Sequence, residues 1–105
     1  MIKINNNDCN GTGLRGYVKT SYKNLVSKLG KPYVWFEHDK VDVEWCFKFP
    51  DGTIATVYNY KDGKNYLGEK GKAVEDITNW HIGGNNNKSI GYMQLKVVAN
   101  YKVLN

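Results

Sequence analysis

Residue types that can bind a nucleotide stand together in the segment Trp80-His81-Ile82-Gly83-Gly84. In a strand, Trp80 and Ile82 point to one face and His81 points to the other. An indole ring can stack on a base, which contributes ~1–3 kcal/mol per base in single-strand binders. Open backbone N–H groups at the two glycines, near the N-terminus of a following helix, can bind phosphate. The competing interpretation is a core tryptophan, a structural histidine hydrogen bond and a simple glycine turn.

Other aromatic and cationic residues extend this candidate site. Tyr58 and Tyr60 are candidates to stack on a base, because every base offers a π-face to an aromatic ring. Lysine, arginine and the imidazole of His81 are candidates to contact phosphate. The complete set of predicted ligand-binding residues is Trp80, His81, Gly83, Gly84, Tyr58, Tyr60, Lys61, Lys88 and Arg15.

Arg15 belongs to a glycine-rich segment, residues 11–16, that matches the pattern G-x-G-x-x-G. A dinucleotide fingerprint needs a buried strand before the glycines and a helix directly after them. Here a polar tail precedes the glycines, and residues 16–20 resemble a strand, so we reject the fingerprint. A flexible loop is the favoured interpretation, with an anion contact by Arg15 and the glycine amides as the alternative.

The residue types needed for catalysis or metal binding do not occur at the required spacings. The chain has two histidines, with no His-x-Glu or His-x-x-x-His pattern. Asp42 and Glu44 share one predicted strand face, and pairing with Lys48 and Lys61 explains them more simply. We therefore predict no catalytic residues, no metal and no cofactor. A phosphodiesterase that uses His81 as an acid or base is the enzymatic alternative.

One β-hairpin organises the predicted fold. Apolar side chains alternate with polar ones over residues 41–49, Pro-Asp-Gly follows at 50–52, and residues 53–60 are rich in β-branched and aromatic types. A two-residue turn would place Trp45 opposite Tyr58. A glycine bulge would shift the register by one residue and exchange the two faces, so both pairings stay open.

Two amphipathic helices are predicted beside the hairpin. The first begins at a cap residue, Thr20 or Ser21, and ends before Gly30. The second begins near Ser89, which can act as its N-cap, and continues to Tyr101. Because each has one apolar stripe at helical spacing, both should pack on the same core.

The remaining segments complete a small α+β domain. Strands are predicted at 16–20 and 78–82, and residues 62–75 form a long loop rich in glycine and lysine. Residues 1–10 form either a short edge strand or a frayed end. We expect a single domain over residues 1–105, with an antiparallel sheet of three to five strands, two helices on one face and the order β-α-β-β-β-α.

Composition narrows the classes of partner. Fifteen Lys and Arg residues against ten Asp and Glu give a net charge of +5, and Arg15 is the one arginine. Evenly spread lysines with so little arginine do not favour binding to double-stranded DNA. No apolar run reaches the ~18 residues of a membrane span. Cys9 and Cys46 are predicted to be free thiols in a cytosolic protein, with a disulfide between them as the alternative.

Several short motifs are spread over residues 13–84. They read Gly16-Tyr17-Val18, Lys40-Val41-x-x-Glu44-Trp45, Asp51-Gly52-Thr53-x-Ala55-Thr56-x-Tyr58-x-Tyr60-Lys61 and Trp80-His81-Ile82-Gly83-Gly84. In these motifs the chain resembles a family of small, mostly uncharacterised proteins of bacteriophages and large DNA viruses. The resemblance implies an anti-defence protein of the host cytoplasm, one that binds and sequesters a cyclic nucleotide or oligonucleotide immune signal without cleaving it. The Gly/Lys-rich segment 62–75 and the asparagines at 85–87 depart from the family pattern.

Two other functions remain open from the sequence. The protein can be an inhibitor that binds a host defence factor through a sheet edge or an aromatic face. The charge of +5 and the many aromatic residues also suit a small nucleic-acid-binding protein. A symmetric cyclic ligand would lie across a two-fold axis, so the first hypothesis predicts a homodimer or higher oligomer.

Overall fold

The computed structural model describes residues 2–3, 12–36, 40–97 and 100–103. Within these ranges the strands are β1 (Ile2–Lys3), β2 (Gly13–Lys19), β3 (Tyr33–Val34), β4 (Val43–Lys48), β5 (Ile54–Tyr58), β6 (Asn79–Gly84) and β7 (Asn100–Val103). The helices are α1 (Tyr22–Leu29), α2 (Lys64–Leu67) and α3 (Lys88–Val97).

The described strands form one antiparallel sheet in the order β1-β4-β5-β6-β2-β7, with β3 also paired to β4. Five strands have four or more residues, and β1 and β3 have two residues each. Side chains of α1 and α3 join one core on a single face of this sheet. The predicted small α+β domain with an antiparallel sheet is therefore confirmed.

The hairpin has the bulged register. Glu44 pairs with Tyr58 and Trp45 pairs with Val57, so the pairing of Trp45 with Tyr58 is wrong. The loop closes through hydrogen bonds between the Phe49 N–H and the Thr53 carbonyl (2.8 Å) and between the Gly52 N–H and the Phe49 carbonyl (2.9 Å). Gly52 has a φ of 87°, which a glycine adopts without steric cost. The loop therefore has three residues rather than two.

The helix-covered face of the sheet carries the core. Trp45 and Trp80 are both fully buried there, with ring centroids 5.8 Å apart in an edge-to-face arrangement. Each indole N–H has a backbone acceptor, the Gly30 carbonyl for Trp45 (2.7 Å) and the Thr20 carbonyl for Trp80 (3.0 Å). Burial of a tryptophan is favourable when its N–H is satisfied in this way. The core cluster comprises Val18, Leu25, Leu29, Val43, Trp45, Phe47, Phe49, Ala55, Val57, Ile77, Trp80, Ile82, Ile90, Met93 and Val97.

The first predicted helix agrees closely with α1. Ser21 is the N-cap, and its hydroxyl accepts a hydrogen bond from the Asn24 N–H at 3.0 Å. Leu25 and Leu29 are buried, as the apolar stripe predicts. The helix ends at Gly30, whose N–H donates to the Val26 carbonyl (2.9 Å).

The second predicted helix differs from α3 at both ends. It begins at Lys88, whose N–H donates to the Asn86 side-chain oxygen (2.8 Å), so Asn86 caps this end instead of Ser89. The Ser89 hydroxyl instead donates to the Ile54 carbonyl (2.7 Å). The helix ends at Val97, and Tyr101 lies in β7 opposite Val18. Pairing with the free edge of β2 overrides the helical periodicity beyond Val97.

The segment predicted as a long loop is regular over much of its length. It contains α2 and two 3-10 turns, Gly68–Lys70 and Val74–Asp76. Asn65 connects this segment to the chain around β4. Its side-chain amide donates to the carbonyls of Trp35 and Val41, both at 2.9 Å. The glycine-based prediction missed these turns because their stabilising contacts come from distant residues.

Cys46 is disulfide-bonded, so the prediction of two free thiols is wrong. The other cysteine of the chain, Cys9, lies outside the described residues. The same holds for most of the segment 1–10, of which only Ile2–Lys3 is described, as a short strand paired with β4. The predicted cytoplasmic location therefore has no support from free thiols.

Asp51, at the hairpin tip, should make stability depend on pH in acid. Hydrogen bonds from the Thr53 N–H and the Tyr92 hydroxyl lower the pKa of Asp51 to about 2. Because this pKa lies below the ordinary value of 3.8, the stabilisation is present above the ordinary value and is lost as the pH falls through about 2. We expect Asp51→Asn to lower the melting temperature at pH 7 and to flatten the melting profile between pH 5 and pH 2.

Thermal melts at half-unit pH steps test this expectation, with Asp76→Asn as the matched control at an exposed aspartate. A profile for Asp51→Asn that runs parallel to that of the unmodified protein across this window would contradict it.

Candidate functional site

A row of polar and aromatic side chains crosses the sheet on the face opposite the helices. Glu44 in β4 lies opposite Tyr58 in β5, Tyr58 lies opposite His81 in β6, and His81 lies opposite Tyr17 in β2. Strand alternation places these residues on one face, because their neighbours Trp45, Val57, Trp80 and Val18 are buried against the helices.

Four rings cluster around the middle of this row, and we call Tyr17, Tyr58, Tyr60 and His81 the aromatic face. The His81 ring lies 4.9 Å from Tyr17, 5.4 Å from Tyr58 and 5.3 Å from Tyr60, measured between centroids. Tyr60 is 38% exposed, and the other three side chains are half-buried. The exposed parts of these rings offer aromatic surface to a planar ligand.

Lys61 supplies a cation at the border of the aromatic face. Its ammonium group lies 5.4 Å from the ring centroid of Tyr60 and 5.7 Å from that of Tyr66. Lys61 has a φ of 60°, in the left-handed region, and it is the one non-glycine residue among those described with a positive φ. The strained backbone turns the chain beside Tyr60, so the lysine stays next to the rings instead of continuing β5.

Burial favours the neutral forms of two groups of the aromatic face, His81 and Tyr58. Desolvation lowers the pKa of His81, although the charge of Asp62 opposes this effect. Desolvation also raises the pKa of Tyr58, and the nearby charge of Glu44 adds to the increase. At neutral pH, His81 is therefore a neutral ring surface and hydrogen-bonding group, and Lys61 is the cation beside the cluster.

The hydroxyl groups and ring nitrogens of the aromatic face have few partners among the described residues. Within the described part of the chain, no hydrogen bond involves the ring nitrogens of His81 or the hydroxyls of Tyr17, Tyr58 and Tyr60. The arrangement therefore combines stacking surfaces with donors and acceptors that the described residues leave unused.

Gly83 makes room for the Tyr58 ring. A Cβ atom at Gly83 would lie 2.8 Å from the Thr56 methyl group and 3.3 Å from Cε1 of Tyr58. Gly83 and Gly84 continue β6 and pair with both neighbouring strands. The prediction of a glycine turn with open N–H groups at a helix mouth is therefore wrong, because both residues belong to the sheet.

Trp80 does not belong to the aromatic face. The predicted alternation is confirmed, since Trp80 and Ile82 are buried on the helix side and His81 lies on the opposite side. However, Trp80 is fully buried and stacks on Tyr22 with a centroid distance of 6.3 Å. A ligand on the surface cannot reach its ring. Trp80 is therefore a core residue, as the competing interpretation of the sequence had it.

The predicted residues Arg15, Gly84 and Lys88 lie at another place, where the hairpin tip meets α3. The Arg15 guanidinium donates to the Gly84 carbonyl (3.1 Å) and to the Asn87 side chain (3.5 Å). Lys88 forms an ion pair with Asp51 at 3.7 Å. Residues 13–16, which were predicted to be a flexible loop, are the first part of β2. These contacts connect β2, the hairpin tip and the start of α3.

Sequence reasoning found four of the residues brought together here, namely His81, Tyr58, Tyr60 and Lys61, and missed Tyr17. The alternation of Tyr17 with the buried Val18 could have indicated its face. Its distance from His81 could not be read from the sequence, because it depends on β2 pairing with β6.

The described residues contain no group of three His, Cys, Asp or Glu side chains that could hold a metal ion. No helix in that part of the chain is long and apolar enough to span a membrane. No protein-family model, curated protein or solved structure matches this chain.

Proposed function

We propose that this protein binds a cyclic nucleotide or cyclic oligonucleotide on the aromatic face and sequesters it without cleaving it. The observation that supports the proposal is the ring cluster around His81, with the ammonium group of Lys61 beside it. Bases stack on exposed aromatic rings, and a lysine can bind the phosphate that follows a stacked base. The resemblance to small viral proteins adds the biological part of the proposal, an anti-defence role in the host cytoplasm.

The extent of the row suits a ligand with more than one base. The residues from Glu44 to Tyr17 lie on four neighbouring strands, which span about 14 Å at ~4.8 Å per strand. A mononucleotide would cover only part of this length. We therefore propose a ligand with two or more bases, in which one phosphate lies near Lys61.

The surroundings of His81 support sequestration without cleavage. A general base needs a partner that orients it and a position next to the reacting group. The ring contacts of His81 are with Tyr17, Tyr58 and Tyr60. Such contacts favour a role in stacking over a role in proton transfer.

Calorimetric titration with a panel of cyclic dinucleotides and cyclic oligonucleotides tests binding. We expect one or more of them to bind and Tyr60→Ala to weaken the affinity about 5- to 150-fold, the equivalent of ~1–3 kcal/mol for one stacked base. Tyr60 is suited to the test because it is partly exposed, so its truncation should leave the fold intact.

Tyr92→Ala is the control, because Tyr92 stacks on Phe49, a residue of the helix-side core, and lies away from the aromatic face. Absence of heat and of a shift in melting temperature with every ligand would overturn the proposal. Recovery of the ligand intact after heat denaturation of the complex would distinguish sequestration from phosphodiesterase activity.

Binding of single-stranded nucleic acid is the second candidate function. The aromatic face offers rings on which the bases of a single strand could also stack. An open antiparallel sheet with aromatic residues on neighbouring strands can stack successive bases. The net charge of +5 agrees with this candidate. It predicts oligonucleotide binding that weakens steeply with salt, and affinity that stays flat between low and moderate salt would exclude it.

One edge of the sheet supports association with another chain. The partner would be a second copy in the proposed homodimer, or a host protein in the alternative of a protein-binding inhibitor. Tyr33, Val34 and Phe36, in and next to β3, are 46%, 55% and 78% exposed. Exposed apolar side chains at a sheet edge favour association with another chain. Sedimentation of the purified protein tests self-association, and pull-down of one stoichiometric host protein tests the alternative.

A further inference from the structure

Glu44 lies next to the aromatic face, at one end of the row that crosses the sheet. Its carboxylate has no cationic partner among the described residues. The ion pair formed within those residues joins Lys88 and Asp51, at the hairpin tip. Glu44 is half-buried and lies directly opposite Tyr58. A partly buried carboxylate without a cation requires hydrogen-bond donors, and the described residues supply two of them.

Two donors fix the orientation of the Glu44 carboxylate. The Trp35 indole N–H donates to one oxygen at 3.2 Å, and the Thr56 hydroxyl donates to the other at 2.6 Å. A carboxylate accepts at about four lone-pair positions. Counting the donors of the described residues, each oxygen keeps capacity for one more hydrogen bond, and the two oxygens form a preorganised double acceptor beside the aromatic face.

We propose that Glu44 selects guanine in the ligand of the aromatic face, an inference that rests on the proposed function. Guanine carries a ring N–H and an exocyclic N–H next to each other, which match the two oxygens of one carboxylate. Adenine has an acceptor nitrogen where guanine has the ring N–H, so it meets the carboxylate with one donor and one repulsive contact. Side chains directly opposite in a sheet lie about 4.5–5.5 Å apart at Cβ, so a base stacked on Tyr58 reaches Glu44.

The preference should be large enough to measure directly. A bidentate side-chain contact discriminates between bases by roughly 10- to 100-fold in affinity. The effect is expected to depend on the carboxylate, because a glutamine at the same position would turn an N–H₂ group towards the donors of guanine.

Titration of the full chain with cyclic di-guanylate and cyclic di-adenylate tests the inference. We expect the unmodified protein to bind the guanine ligand about 10- to 100-fold more tightly. Glu44→Gln should remove this preference while leaving the affinity for the adenine ligand unchanged or higher. Glu75→Gln is the matched control, because Glu75 is exposed in the 3-10 turn Val74–Asp76 and this turn packs against α1.

The outcomes separate this inference from the function on which it rests. Equal affinity of the unmodified protein for the two ligands overturns the role of Glu44 and leaves the cyclic-nucleotide proposal standing. Binding of neither ligand, together with no binding of any other cyclic nucleotide, overturns both. If Glu44→Gln fails to fold, the ratio of the two affinities in the unmodified protein still decides the question.

Discussion

Asn59→Ala is expected to lower the free energy of unfolding by about 2–5 kcal/mol. The Asn59 side chain is fully buried, and its oxygen accepts hydrogen bonds from the N–H groups of Asp42 (2.8 Å) and Val43 (3.1 Å). Alanine leaves both N–H groups without their acceptor, and an unsatisfied buried donor costs about 1–3 kcal/mol. Urea unfolding at pH 7 measures the change.

A second variant, Asn59→Asp, tests the hydrogen bonds of the side-chain amide nitrogen alone. The amide nitrogen of Asn59 donates to the carboxylates of Asp42 (2.9 Å) and Asp62 (3.0 Å). Asn59→Asp keeps the two accepted hydrogen bonds but brings a third carboxylate next to the other two. This variant should be strongly destabilised at pH 7 and should regain part of the loss near pH 4, because protonation relieves the repulsion.

Asn79→Ala is the control for both variants. Asn79 is exposed in β6, and no hydrogen bond of its side chain occurs within the described ranges. Its truncation should change the unfolding free energy by less than about 0.5 kcal/mol. If Asn59→Ala unfolds at the same urea concentration as this control, the proposed importance of the buried amide is contradicted.

The network around Asn59 also positions the candidate site. Asn59 stands between Tyr58 and Tyr60, and the Lys61 N–H donates to the Lys40 carbonyl at 2.8 Å directly after the turn. Loss of the network should let Tyr60 and Lys61 move away from His81. We therefore expect Asn59→Ala to weaken ligand binding even at temperatures where the protein stays folded, as calorimetry can show.

Local patterns in the sequence predicted α1 and the hairpin strands well. The Ser21 cap, the buried Leu25 and the terminating Gly30 act within one helix, so nearby residues decide the outcome. The hairpin strands follow from alternation in the same way. In each case the pattern that indicates the structure lies among residues that are close in the sequence.

The faces of the hairpin could not be predicted, because one residue of register exchanges them. Pro-Asp-Gly is compatible with a two-residue turn and with a three-residue bulged loop. In the folded protein, the bulged loop places Trp45 in the core and Tyr58 next to His81. The choice is made by the burial of the two tryptophans together, which depends on β6 and the helices.

The complete strand order and the presence of β7 also could not be predicted from the sequence. The position of β6 between β5 and β2 brings Tyr17, Tyr58 and His81 together from three separate segments. The apolar residues after Ser89 fit a helical stripe as far as Tyr101, yet the chain leaves the helix after Val97 to pair with β2. Edge pairing is a tertiary effect that periodicity does not encode.

Gly84→Ala is expected to destabilise the protein by about 3 kcal/mol, because α3 packs directly on this residue. A Cβ atom at Gly84 would overlap the Oγ and Cβ atoms of Ser89 and would lie 2.7 Å from the Ile54 carbonyl oxygen. The Ser89 hydroxyl cannot simply turn away, because it donates to that same carbonyl. Overpacking of a rigid contact typically costs about 1–3 kcal/mol and occasionally more.

Gly13→Ala is a matched control for this substitution. Gly13 pairs directly with Gly84 in the sheet, but a Cβ atom at Gly13 would have nothing within 4 Å. Gly13→Ala should therefore leave stability nearly unchanged or raise it slightly through the unfolded state. Equal melting temperatures for the two single variants would contradict the close packing of α3.

A double-mutant cycle identifies the contact that Gly84→Ala breaks. Ser89→Gly removes both side-chain atoms that the new methyl group would overlap, although it also weakens the first turn of α3 and leaves the Ile54 carbonyl with the Asn85 N–H as its donor. The double variant should therefore be less destabilised than the sum of the single variants, by about 1 kcal/mol or more. Strict additivity would show that strain at Gly84 arises from the Ile54 backbone rather than from the helix. In that case, the small residue would be needed to keep β5 and β6 in register under Tyr58 and His81.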